Sequence, residues 1–188
     1  AYGAGCFDGD GQAYADWQRQ QVNATIAKFY AEIVPLKPDI WLSAAVWPIY
    51  MDVWGWGGTQ GYHDYYQDSK AWLAAETIDT IMPMIYGGSF WTQARFETLV
   101  ADFQASNNGR YIIPGIGADF ADFAEIEARI GMARAAGTPG HAIFSYGALL
   151  THGYFDELRA GPYAETAVVP DLPWRAETSA EWEVGSAD

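Results

Sequence analysis

Short apolar runs alternate here with longer stretches whose apolar residues recur every third or fourth position, and that rhythm leaves few folds open. Over residues 16–33, Val22, Ile26, Phe29 and Ile33 share one helical face. Pro35 and Pro38 end that helix. The run 40–46, bounded by prolines, suits a strand buried on both faces. A Trp-, Tyr- and Gly-rich loop over 47–66 and a short helix over 68–75 lead to a second buried run, 80–86. Pro83 within that run lacks an amide proton and speaks against a central strand position. Phe96, Leu99, Val100 and Phe103 then mark a helix, 111–116 a strand, and Phe123, Ile126, Ile130 and Ala133 a helix whose start carries Asp122 and Glu125 as a capping pair. A fourth strand over 141–145 and a short helix over 155–160 close the series. Helices and strands alternating in this way imply an α/β fold of parallel strands joined by right-handed crossovers.

Four βα units with a leading helix pose a geometric question. A closed (β/α)8 barrel needs eight strands and about 250 residues, whereas the chain has 188. The pattern therefore fits half of such a barrel or an open four-stranded sheet, and periodicity does not separate them. Half the residues are hydrophobic and 16% aromatic, which excludes a disordered chain. The formal net charge of −14 argues against a nucleic-acid partner. No apolar run approaches the length that crosses a bilayer, so membrane insertion is not expected. The lone Cys6 and three scattered histidines suggest neither a disulfide nor a metal centre. The sequence opens on Ala1 without a Met or a signal segment, so a truncated N-terminal piece is expected over 1–14, a folded unit over 15–165, and a linker or surface strap over 166–188.

In parallel α/β folds the ligand face is built by the loops that follow the strands. Those loops hold Trp47, Tyr50, Asp52, Trp54 and Trp56 after the first strand, and Tyr86, Phe90 and Trp91 after the second. Asp119 and Phe120 follow the third strand, and Ser145, Tyr146 and His152 the fourth. Flat aromatic faces stack on the C–H faces of sugar rings while Asp, Tyr and Ser bind hydroxyls; the competing reading is that the rings only roof the core. Of the carboxylates, only Asp52 and Asp119 lie at strand ends on this face. Asp68 is placed to cap the next helix, and Asp79 precedes its strand, on the opposite face. Two other motifs are incomplete. Ile143 stands where a nucleophile elbow needs Gly, and 115–120 lacks the third Gly of a dinucleotide fingerprint, so no cofactor is expected.

The segments 16–23, 43–48, 66–73, 78–86 and 142–146 resemble, in order and spacing, the C-terminal half of the bacterial glycosyl hydrolase-like 10 family. The resemblance implies half of a (β/α)8 TIM barrel acting on polysaccharide or cell-wall glycan, in an extracellular or periplasmic setting. It implies Trp47, Tyr50, Trp54, Tyr86, Trp91, Ser145 and Tyr146 as substrate-binding residues, with Asp52 and Asp119 assisting catalysis. The family's Asp-rich strand end, His-Phe-Asp-Asp-like, is not in this sequence, so the main acid and the nucleophile or base are expected from an N-terminal half-barrel partner. Met84 replaces a usual Gln, and Ile49-Tyr50-Met51-Asp52 replaces a Phe/Gly-Ile-Trp-Arg-like turn; both changes fall in the expected cleft. Two alternatives stand beside this reading: a non-catalytic carbohydrate-binding barrel, and a complete small α/β protein of unrelated function.

Overall fold

The structure is a computed structural model, described over residues 11–175. Cys6, most of the expected N-terminal piece and the end of the tail lie outside the described residues. Helix α1 (Gly11–Ile33) leads, followed by β1 (Ser43–Val46), the short helices α2 (Gly61–Asp64) and α3 (Ser69–Ala74), and β2 (Thr80–Pro83). After α4 (Gln93–Gln104) come β3 (Tyr111–Ile112), β4 (Gly115–Gly117), α5 (Phe123–Ala135), β5 (Ala142–Phe144), α6 (Tyr146–His152) and α7 (Phe155–Ala160). A 3-10 turn over Pro173–Arg175 ends the described chain.

All strand pairs are parallel: β1 with β2, β2 with β3, and β4 with β5. The third expected strand is thus one path bent in two. Ile113 N still donates to Ile81 O at 3.0 Å, whereas Pro114, with no amide to give, turns its carbonyl to Ala142 N on the other side at 3.0 Å. The bend moves the path from β2 to β5. Pro83 is tolerated because it is the last residue of β2, and Met84 N takes up the next bond, to Val46 O, at 3.0 Å. Among the described residues no closed barrel forms: β1 pairs only with β2, and β5 only with β4.

Side chains alternate across a strand, and here one side of the sheet is covered and the other is not. Val46 packs with Trp72, Leu73, Ile78, Ile81, Phe103 and Ile112, joined by Val22 and Ile26 of α1. Ser43 and Ala45 point the other way and are exposed, as is Phe144 at 55%. The first run is therefore not buried on both faces: helices cover only its outer side. Phe29 and Ile33 of the expected α1 stripe are likewise exposed. A second core joins α4, α5, α6 and α7 through Phe96, Leu99, Ile126, Ile130, Leu149 and Leu158. The expected loop after β1 holds the short α2, and α6 fills what the sequence left as loop after β5. Helices of four and seven residues are too short to show a period.

Two glycines set how closely the layers meet. A Cβ on Gly115 would lie 2.8 Å from the Tyr86 ring, and one on Gly117 would collide with the Gly87 backbone. The Gly-Ile-Gly pattern is a device for strand approach, not the start of a nucleotide site.

Opposite the strand C-termini, Asp79 is fully buried. Its carboxylate accepts the Leu42 amide at 2.6 Å, Trp174 Nε1 at 2.8 Å and Arg175 Nε at 3.0 Å, and forms a second bond to Arg175 Nη2. Arg175 also donates to the Pro38 and Ile40 carbonyls. Within its described residues the expected surface strap carries a buried anchor at Arg175, because Asp79 without that guanidinium would be an uncompensated interior charge. Nearby, His141 sits half-buried with Nε2 2.7 Å from the Tyr163 hydroxyl. Burial, reinforced by the Arg134 charge, pulls its pKa down to about 4.

Breaking the anchor with Arg175→Ala is expected to cost about 3 kcal/mol, read as a lower urea midpoint at unchanged slope. His141 supplies a pH test. It is neutral when folded and takes a proton near pH 6.5 when unfolded, so it contributes stability above that pH that is lost as pH falls from 6.5 toward about 4. The His141→Gln variant should show a flatter stability profile across that window, and an unchanged slope would remove His141 as its source.

Candidate functional site

The strand C-termini open onto three neighbouring groups of side chains. The first is the loop between β1 and α2. Asp52 organises it: its carboxylate accepts the backbone N–H of Trp56 at 3.0 Å and of Gly57 at 2.7 Å, while its own N–H is held by Gln60 Oε1 at 2.7 Å. Gly55 and Gly57 supply the positive φ that this tight wrap requires. Within the loop the Trp54 and Trp56 indoles stack, with centroids 4.6 Å apart and planes 19° apart. The Arg95 guanidinium lies 4.7 Å from the Trp56 ring and 4.2 Å from that of Phe90, which fixes the loop to the start of α4. The backbone N–H of Trp56, with those of Gly57, Trp54 and Gly55, holds the Asp52 carboxyl below the usual carboxylate range. Asp52 is thus an anion at neutral pH and cannot serve there as a proton donor.

The second group lies at the end of β5. Tyr86 stacks on Phe144 with centroids 4.7 Å apart and planes at 17°. Tyr146, the first residue of α6, is 70% exposed beside it in sequence and touches Phe155. Ser145 accepts the Ala148 amide as the N-cap of α6, so one lone pair of its hydroxyl is already committed. Burial pushes the Tyr86 hydroxyl above the usual phenol range, so it is a neutral donor or acceptor.

The third group is a cleft of about 640 Å³ between the starts of α4 and α5. Trp91 and Asp119 share it, with Phe120, Gln93, Glu125 and Arg129. Glu125 does not close a capping box. Asp122 alone caps α5, through the Ala124 amide at 2.9 Å, and Glu125 turns sideways to pair with Arg129 and to accept Gln93 Nε2 at 3.2 Å. Those two bonds, Arg129 first, hold its carboxyl below the usual range.

The structure divides the residues singled out from sequence. Tyr86, Ser145 and Tyr146 gather at the end of β5, and Trp91 and Asp119 in the cleft, which Asp52 does not line. Trp47 is turned against Tyr65, with centroids 4.3 Å apart, and its amide donates to Gln67 Oε1. The Tyr50 hydroxyl donates to Asp68 at 2.7 Å, and its ring packs on the β1–α3 core; burial and that carboxylate push its pKa well above the usual phenol range. Sequence reasoning passed over Glu125, Gln93 and Arg129. The signal available was the Glu–Arg spacing of four on α5, which reads as an ordinary surface pair until Arg129 is seen to be 2% exposed. Among the described residues no cluster of His, Cys, Asp or Glu could hold a metal ion, and no helix is long and apolar enough to cross a membrane.

Parallel strands flanked by helices, with an aromatic and acidic face at the strand C-termini, define the α/β class to which barrel glycosidases belong. The chain belongs to the glycosyl hydrolase-like 10 family, whose model matches residues 3–115. It is 26% identical over 188 residues to the protein described as glycosyl hydrolase YngK of Bacillus subtilis (strain 168), a match covering 87% of this chain and 36% of that protein. The chain thus spans little more than a third of that relative's length.

The Asp52 loop carries its own test. Stacked indoles couple optically, so Asp52→Ala should abolish the exciton signal of Trp54 and Trp56 in circular dichroism while the cooperative melt persists. Because the folded carboxyl is held low, the loop's order is present at neutral pH and is lost as pH falls below the usual carboxylate range. An unaltered signal in Asp52→Ala would show that the backbone alone holds the loop.

Proposed function

We propose that this chain forms part of the substrate-binding face of a (β/α)8 glycoside hydrolase that cleaves O-glycosyl bonds in polysaccharide or cell-wall glycan outside the cytoplasm. The observation that carries the reading is the Tyr86–Phe144 stack at the strand ends, with Tyr146, two residues on in sequence, standing largely in solvent. Core rings bury their faces; rings left open at the ligand end of a parallel sheet present apolar surface rimmed by hydroxyls, the chemistry of a sugar platform. Trp54, stacked on Trp56 and partly buried against the helical core, offers a second aromatic surface on the loop after β1. In this reading Trp47 and Tyr50 act one layer back, holding the loop through Tyr65 and Asp68. Ser145 meets sugar hydroxyls with its remaining hydrogen-bonding capacity.

Glycosidic cleavage needs an acid and a nucleophile or base that flank one bond. Asp52 is ionised and tied to its own loop, and Asp119 lines a separate cleft, so their fitting roles are to accept hydroxyls and shape subsites. The principal carboxylates are then carried elsewhere in the barrel. The unpaired sides of β1 and β5 and the uncovered Ser43 and Ala45 support this, since another half-barrel packed there would complete both the sheet and the site. The same separation of carboxylates favours, as a second reading, a barrel that binds carbohydrate without cleaving it.

The test is reducing-end release from polysaccharide and peptidoglycan by the protein that carries this chain. Tyr86→Ala and Tyr146→Ala should each lower kcat/KM about tenfold or more, chiefly through KM. Asp52→Asn should lower turnover while glycan binding stays measurable. Binding without any release establishes the second reading, and rim variants with unchanged kinetics overturn both.

A further inference from the structure

The cleft between α4 and α5 is an open groove apart from the rim, and the rim reading leaves most of its polar groups unused. We propose that it is a saccharide subsite separate from the rim, with Trp91 as the stacking surface and the Asp119 and Glu125 carboxylates as hydroxyl acceptors. Its ligand class rests on the saccharide reading above; its location and residues do not.

Size comes first. A cleft of about 640 Å³ lies within the range of small-molecule sites. Charge then selects the ligand. Asp119 is exposed and Glu125 keeps 41% of its side chain in solvent, against one cation, Arg129. That cation is already committed: it pairs with Glu125, donates to the Glu125 carbonyl at 3.0 Å and to the Trp91 carbonyl at 2.7 Å, and faces Phe120 at 4.2 Å. A phosphate or carboxylate ligand would bring acceptors to a wall of acceptors. A polyhydroxyl ring brings donors for the carboxylates and a C–H face for the indole.

The cleft is also pre-formed. Gln93 Nε2 to Glu125 and Arg129 to the Trp91 carbonyl both tie the α4 side to the α5 side. Phe120 lies between the Arg129 guanidinium and Gly87, where a Cβ would meet its ring at 3.4 Å. Arg129 is therefore a positioning residue: it fixes the backbone of the stacking ring and orients Glu125 in one step. Little ordering remains to be done on binding, which favours affinity.

The deciding experiment is calorimetric titration of chitotetraose, cellotetraose and xylotetraose into the protein that carries this chain and into its Trp91→Ala, Asp119→Asn and Lys28→Ala variants, Lys28 being an exposed residue of α1 outside the cleft. At least one glycan should bind. Trp91→Ala and Asp119→Asn should weaken it about tenfold, and Lys28→Ala should leave it unchanged. Should Trp91→Ala fail to fold by circular dichroism, the exposed Asp119→Asn decides alone. Binding that is unchanged in the cleft variants overturns the subsite, and its loss in Tyr146→Ala then leaves the rim reading standing. If no glycan binds, the subsite is overturned together with its ligand class.

Discussion

Asp79 is the point on which the described fold turns. A fully buried carboxylate is tolerable only when its charge is matched and its oxygens are occupied, and Asp79 meets both demands with partners far apart in sequence. The Leu42 amide brings in the lead to β1, Trp174 and Arg175 bring in the strap, and Arg175 reaches on to the Pro38 and Ile40 carbonyls. The Tyr111 ring, at the start of β3, packs against Trp174 and Trp41. One ionic centre thus closes the end of the sheet opposite the strand C-termini.

That closure lets the other end be irregular. The loops above the strands carry stacked rings and positive-φ glycines, features that weaken a compact core but suit a surface that must meet a ligand. Local carboxylates hold them in place: Asp52 for the tryptophan loop, Asp68 for Tyr50 and the start of α3, and Glu125 with Arg129 across the cleft. Acidic side chains at this face act first on the protein's own backbone and hydroxyls. A motif count would have assigned most of them to catalysis.

The uncovered side of the sheet is consistent with membership in a glycosyl hydrolase-like family whose relative is much longer. Ser43 and Ala45 present only small, exposed side chains on that side of β1. Two glycines in β4 let Tyr86 and Gly87 come close to the strand, and this sets the height at which the Tyr86–Phe144 stack emerges. The sheet's internal spacing and the placement of its aromatic rim are one problem with one solution.

The strand–helix alternation, the parallel arrangement and the aromatic character of the loops were legible in the sequence, because period and composition are local properties that tertiary contacts do not alter. The cap at Asp68 and the placement of Asp79 away from the strand C-termini were legible for the same reason. What lies on each side of a strand was not legible: Ser43 and Ala45 belong to an apolar run and are exposed because no described helix covers that side of β1. Nor was the grouping of the site, since Trp91, Asp119 and Glu125 meet only through the lateral packing of α4 on α5. Residue types and their spacing determined which chemistry was available; long-range packing decided which side chains share a cavity and which spend their hydrogen bonds holding the backbone.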